Sequence, residues 1–446
     1  MPAEKARNKN MTEGAIGKQL ILFALPLLAG SLIQQLYNTV DLIFVGQLLG
    51  KEAAAAVGAS SLLITCMVGF FTGMSVGSGI VAAKCFGVGN YRELGRIIHT
   101  GVAIGVFGGA LLMAVGYIFA PVFLRWLNTP EDIFIQATGY IRIYFLSLIP
   151  LVGYNIGAGI LRALGDSKSP MIYQLVGGLT NVAANALFIC LLGWGVKGSA
   201  LASLIAQGLA AALVFFHLSR LDEAYRLRPR QIRIDRTAGG QILAVGIPAG
   251  IQAMVITLSN LIVQYNINSL GVDSIAAFTA YFKVELFIYL PIMAYGQAAT
   301  IFTGQNFGAG KLERVKRGTR VSLWAGIITT VVLSGLVLIF ARQAFALFSN
   351  DAGVIELGRK LAFTTFPFYF IYLVMEVLAA SIRGTGKALP PMLIILTNIC
   401  ILRIALLSIM TVIAPGIRGI AIVYPITWAS TALCMFVYYR RMPKEV

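Results

Sequence analysis

Charge is scarce in this chain of 446 residues: only 12% of them are Asp, Glu, Lys or Arg, against about 25% in an ordinary soluble domain. Acid is scarcer still, with 18 Asp and Glu against 35 Lys and Arg. With 58% hydrophobic residues and a mean hydropathy of +0.82, this excludes a soluble globular domain and describes a polytopic membrane protein. There are only two histidines, His99 and His217, both near predicted helix ends with no catalytic partner in sight, so each is assigned a structural role. The five cysteines, Cys66, Cys85, Cys190, Cys400 and Cys434, lack CxxC or Cys/His spacing. That excludes a zinc site and a disulfide framework and leaves small core residues. No HExxH, paired-Asp diphosphate site, nucleophile elbow or kinase signature is present, so the chain is not read as an enzyme and no cofactor is expected. The Gly-rich stretches 69–79 and 105–109 lack the strand before and the Lys-Ser/Thr after that a phosphate loop requires. Small residues there suit the close approach of membrane helices. The first 17 residues have no short apolar core or small-residue cleavage site, so the first helix is expected to stay in the mature protein.

Each span needs about 20 apolar residues, and the apolar runs predict twelve helices. They cover 17–46, 53–83, 95–120, 133–161, 170–192 and 197–219, then 238–269, 273–303, 318–341, 355–382, 389–413 and 418–440. The formal charge of +17 could suggest nucleic acid, but 25 of the basic residues lie in the termini and alternate loops and 7 in the opposite loops. This is a topology signal, not a nucleic-acid surface, and it puts both termini in the cytoplasm of a cell whose plasma membrane the chain spans. The one long charged loop, 219–237, falls near the midpoint and reads as a solvated tether. The domains expected are a first lobe at 1–219, a linker at 220–236 and a second lobe at 237–446.

An internal repeat supports the halving. At an offset of 221, Phe86-Gly87-x-Gly89 falls on Phe307-Gly308-x-Gly310, and Arg162-x-x-Gly165 falls on Arg383-x-x-Gly386. At 222, Pro26 falls on Pro248 and Asn38 on Asn260. Six helices is an even number, so the two halves share one orientation, a parallel repeat. The fold expected is an all-α membrane protein, twelve helices in two pseudo-symmetric six-helix lobes.

The first apolar run, Leu20 to Gly50, contains a carboxylate. Gln34, Tyr37, Asn38 and Asp41 are spaced i, i+3, i+4, i+7, one polar stripe on an otherwise apolar helix. An ionisable residue within a span is a functional-site candidate. Neutral polar residues on later helices could surround it: Asn181 and Asn185 one turn apart, then Ser199, Ser203 and Gln207 spaced by four. A desolvated carboxyl without a cation binds H⁺ or Na⁺ readily, so a coupling ion, with Na⁺ as one option, is expected near Asp41. The repeat sets Asp41 opposite Val263, while Lys283, Glu285, Glu376 and Arg403 fall opposite Leu62, Ile64, Asn155 and Val182. One-sided polar residues lean towards function. Gln34, Asn38, Asn155, Ser203, Asn260, Gln264 and these four charges are the candidate substrate contacts. Two ion pairs, Lys283 with Glu376 and Glu285 with Arg403, would neutralise the four.

Motifs along nearly the whole chain resemble the multidrug and toxic compound extrusion (MATE) family. They are ALP at 24–26 followed by QxLYNxVDxxFVG at Gln34 to Gly46, then KCFGVGNYREL at 84–94 with QNFGAGKLERV at 305–315. ILRALGDSKSPM at 160–171, SIRGTGKALPPM at 381–392 and GVKGSALAS at 195–203 add to them. The resemblance implies two lobes around a V-shaped cleft, and rocker-type export of cationic amphipathic small molecules driven by Na⁺ or H⁺. A monomer is expected, and a lipid-linked oligosaccharide flippase is the related alternative. The family's key acid matches Asp41, and its Tyr and Asn match Tyr37 and Asn181. Where one branch has a second acid this chain has Asn185; where another has a Glu it offers Thr257, Asn260 and Gln264, and Glu376 is the candidate stand-in for a further acid.

Overall fold

The computed structural model describes residues 10–126 and 129–442, without the side chains of Leu42, 51–52, 54–56, 59–63 and Cys66. Cys66 and the basic residues at the extreme termini therefore lie outside the described residues, and the core role expected of the other cysteines does not hold: Cys85 and Cys400 are half-buried, and Cys190 and Cys434 are exposed on the outer faces of their helices. Every regular element among the described residues is helical. Among the described residues eleven helices are long and apolar enough to cross a membrane, and the pair Glu131–Leu146 and Leu148–Ala163, bent by 41°, makes up to twelve if it is one broken span.

In chain order the elements are α1 (Ile16–Ile43), α2 (Gly50–Val88), α3 (Tyr91–Trp126), α4 (Glu131–Leu146), α5 (Leu148–Ala163), α6 (Lys168–Asn185) and α7 (Gly195–Ser219). They continue with α8 (Arg236–Asn268), α9 (Val272–Gly308), α10 (Leu312–Ile339), the short α11 (Ala341–Ala346), α12 (Ala352–Thr365), α13 (Tyr369–Gly384), α14 (Leu389–Ile395), α15 (Arg403–Ile413) and α16 (Ile417–Arg441). Several run past the predicted limits, as α2 does through Lys84 to Val88. A charged residue ends the apolar run but not the helix, because Lys, Arg and Glu are good helix formers. Pi-helical turns follow α1 at Phe44–Leu48 and α6 at Ala186–Leu191, and another joins α14 to α15 at Leu396–Leu402. Such turns rotate the side chains beyond them and recur at functional sites.

Among the described residues the chain divides into two compact units, one of Asn10 with Ala29–Gly250 and the other of Met11–Leu28 with 251–442. The boundaries differ from a cut at the linker, since the ends of α1 and α8 are exchanged. Within unit 1, α2 meets the start of α8 glycine against glycine. A Cβ added at Gly77 would lie 2.6 Å from the Gly246 nitrogen and the Ile242 oxygen, and one at Gly73 would lie 2.5 Å from Gly250. Only glycine permits that approach, and it holds residues 236–250 in unit 1. Within unit 2, the segment before α1 is bound by the QNFGAGK turn. Gln305 Oε1 accepts from the Met11 amide at 2.8 Å, and Arg314 donates to the Met11 carbonyl at 3.1–3.2 Å.

The linker is not the loose tether expected from its charge. Tyr225 and Leu227 are buried in unit 1, with the Tyr225 ring stacked on Tyr91 at 5.4 Å. His99 is the anchor: its Nε2 accepts from the Arg228 amide at 3.0 Å while Nδ1 lies 2.6 Å from the Gly95 carbonyl. His217 bonds Tyr173 at 2.8 Å. Both histidines thus have partners that linear spacing did not show.

Candidate functional site

Unit 1 contains a partly open cavity of about 270 Å³ among α1, α2, α4, α6 and α7. Tyr37, Asn38 and Asp41 of the α1 stripe line it together with Tyr140 and Tyr144 of α4, Gln174 and Asn181 of α6, and Ser203 and Gln207 of α7. Among the described residues the lining holds no basic residue. Asp41 Oδ1 accepts from Asn185 Nδ2 at 2.8 Å and from Ser199 Oγ at 2.9 Å. Its Oδ2 has no hydrogen-bond partner among the described residues. Asn185 also donates to Asn181 Oδ1 at 3.1 Å, Asn181 donates to Ser203 Oγ at 3.3 Å, and Gln174 donates to the Tyr37 hydroxyl at 3.2 Å. Asn185 is fully buried and its Oδ1 is unpartnered. The acid therefore sits at the end of a relay of neutral amides and hydroxyls, with one carboxylate oxygen and one amide oxygen unused. An all-oxygen donor set with a single charge suits a proton or a hard monovalent cation.

The sequence-predicted residues divide by location. Tyr37, Asn38, Asp41, Asn181, Asn185 and Ser203 come together, whereas Gln34 and Asn155 lie outside the lining, Asn155 donating instead to the Leu151 carbonyl at 2.9 Å. Asn260, Gln264, Lys283, Glu285, Glu376 and Arg403 belong to unit 2. There the two expected ion pairs do not form. Glu376 takes the guanidinium of Arg383, two turns on in the same helix, at 2.7 Å. A long side chain reaching back along its own helix needs no second element, and it leaves Lys283 exposed and unpaired. Glu285 accepts from the Tyr369 hydroxyl and has no basic nitrogen within 4 Å. Arg403 turns instead to Ser259 and Asn260 at 3.3 Å and Thr427 at 3.2 Å, with its guanidinium carbon 4.6 Å from the Tyr424 ring centre. Gln264 bonds Asn268 at 2.7 Å.

The model of the family described as MatE matches residues 26–187 and again 248–409. The chain belongs to the MatE family. The two matches begin 222 residues apart, which is the repeat seen in the sequence. Among MatE relatives, the chain is similar to the probable multidrug resistance protein YpnP of Bacillus subtilis, at 29% identity over 97% of this chain and 96% of that one. It is also similar to the probable multidrug resistance protein NorM of Thermotoga maritima, at 24% identity over 89% and 86%. A solved outward-facing conformation of a multidrug resistance MATE family transporter shares the fold, with TM-score 0.90, 20% identity and 96% of each chain covered.

On the MatE scaffold, several cavity residues escaped the sequence reading. Gln174 lies seven before Asn181 and eleven before Asn185, on the same helical face, so extending the Asn pair back two turns would have found it. Tyr140 and Tyr144 are also one turn apart, but an aromatic i, i+4 pair is indistinguishable from core packing until the neighbouring helices are placed. Ser199 is one of the neutral polar residues spaced by four on α7, and the structure brings its hydroxyl to Asp41.

Proposed function

We propose that the chain is a cation-coupled antiporter that expels cationic or amphipathic small molecules, using H⁺ or Na⁺ and alternating access of the rocker type. The observation that carries this reading is the Asp41 carboxylate, held through one oxygen by neutral donors while the other has no partner at a cavity without basic residues. An acid so placed binds a cation when closed from water and releases it when hydrated. Exchange of ion and substrate at one carboxylate couples the two. Loss or gain of the charge reorders the bonds of Asn185 and Ser199, and Pro26 lies within α1 on the same helix as Asp41. A helix lacking a ladder bond at a proline is a ready place to bend. The names of the multidrug resistance relatives support export of small molecules. On this reading the protein acts as a monomer in the plasma membrane, and the distribution of Lys and Arg supports cytoplasmic termini.

A lipid-linked oligosaccharide flippase would need a basic cleft for diphosphate, and the Asp41 cavity offers none. The deciding experiment is efflux of a fluorescent organic cation from proteoliposomes with proton and sodium gradients imposed separately. Efflux driven by one gradient and abolished by its collapse is expected. Equal efflux with no gradient would refute the reading in favour of a passive pathway.

A further inference from the structure

The repeat equates the wall of the Asp41 cavity with a particular part of unit 2. At the offset of 222, Tyr37, Asn38 and Asp41 correspond to Ser259, Asn260 and Val263; at 221, Ser203 and Gln207 correspond to Tyr424 and Trp428. Arg403 falls on Asn181 at 222, or on the adjacent Val182 at 221. Glu285 falls on Ile64, itself part of the cavity lining.

In unit 2 this place is filled. Arg403 is 2% exposed and lies over the face of Tyr424, bonded by Ser259, Asn260 and Thr427. Trp428 stacks edge-on to Tyr369 at 4.7 Å, and Tyr369 donates to Glu285. Oxygen acceptors, a carboxylate and aromatic faces are the surroundings that recognise an organic cation. Here the oxygen acceptors and the Tyr424 face surround a guanidinium of the chain itself, whose charge cannot be removed by pH, while the Glu285 carboxylate stands more than 4 Å from it, held by Tyr369. Both units thus place polar residues at the same point of the repeat, but unit 1 has a cavity there with an acid and no cation, whereas in unit 2 the point is taken by a guanidinium.

We propose that Arg403 is a tethered cation that occupies the unit 2 counterpart of the Asp41 cavity and closes it to organic monocations. Arg403 is on this view a specificity-determining residue. It restricts cation binding to unit 1, so that a single carboxylate serves both ion and substrate. The proposal shares with the preceding section the premise that a desolvated acid among oxygen donors takes a cation, but it stands on residues of unit 2 alone.

The test is the stoichiometry of tetraphenylphosphonium binding to the full chain in lipid nanodiscs, measured by equilibrium dialysis. Arg403→Gln should add one site per chain, and Arg403→Gln with Glu285→Gln should lose it again. Arg403→Lys, which keeps the charge, should match wild type. A monodisperse Arg403→Gln protein with unchanged stoichiometry would overturn the proposal. Where that variant fails to fold, Glu285→Gln alone still decides: affinity within twofold of wild type is expected, whereas loss of a site would show that unit 2 already binds the cation. The Asp41 reading is separated by Asp41→Asn with Arg403→Gln, which should keep one site. A wild type that binds none while Arg403→Gln binds one would refute the Asp41 reading and uphold this one.

Discussion

Replacing Asp41 with Asn removes one charge and almost nothing else. The amide keeps an oxygen where Oδ1 accepts from Asn185 at 2.8 Å and Ser199 at 2.9 Å. A hydrogen bond to a charged group contributes about 1.5–3 kcal/mol and one between neutral groups about 0.5–1.5, so the two bonds together weaken by about 2–3 kcal/mol. Removing a half-buried charge that has no ionic partner offsets this at least in part. The fold should therefore hold, with a melting temperature in detergent within a few degrees of wild type. Transport should not hold. For one proton exchanged per monovalent cation, each pH unit supplies about 1.36 kcal/mol, so a gradient of about two units supports roughly 100-fold accumulation. In proteoliposomes carrying the variant that ratio should fall to about one, whichever ion drives the wild type. A variant that accumulates the dye as well as wild type, with the same ion dependence, would refute the assignment of coupling to Asp41.

Three further outcomes follow from the packing and the charges. Gly77→Ala puts a Cβ 2.6 Å from backbone atoms of α8 and should cost about 1–3 kcal/mol by overpacking; Gly208→Ala, which meets nothing within 4 Å, should be neutral or slightly stabilising, and equal melting of the two variants would contradict the glycine contact. Glu376→Gln leaves the Arg383 guanidinium buried without its carboxylate and should cost about 3–5 kcal/mol, read as lost folded yield in size-exclusion chromatography. Burial, with Asp222 and Tyr91 nearby, pushes the Tyr225 hydroxyl from 10.0 up to about 12. The neutral form is the one the fold prefers, so its contribution is complete below pH 10 and is lost as pH rises through 12. Melting temperature should fall over that window more steeply in wild type than in Tyr225→Phe, and parallel curves would show the linker strap to be indifferent to that ring.

The sequence alone determined the membrane class, the spans, the repeat and the acid in α1, because each is a one-dimensional signal. Hydropathy over about 20 residues follows from bilayer thickness, an offset of 221–222 follows from duplication, and a helical stripe follows from 3.6 residues per turn. The same stripe logic brought Tyr37, Asn38 and Asp41 to one cavity and, through Asn181, Asn185 and Ser203, foretold its neutral company. What the tertiary structure decided was which partner each polar group takes. Charge type alone paired Lys283 with Glu376 and Glu285 with Arg403, but a guanidinium on the same helix claimed Glu376, and Tyr369 claimed Glu285. The turn at Leu396–Leu402 immediately precedes Arg403 and sets which way its side chain leaves the helix, and no periodicity announces such a turn. The linker is the same case: its charges predicted water, yet Tyr225, Leu227 and the Arg228 amide found Tyr91 and His99. Pair choice depends on distances of a few ångströms, within one helix for Glu376 and Arg383 and between segments far apart in the chain for the others, and only the packed helices supply those.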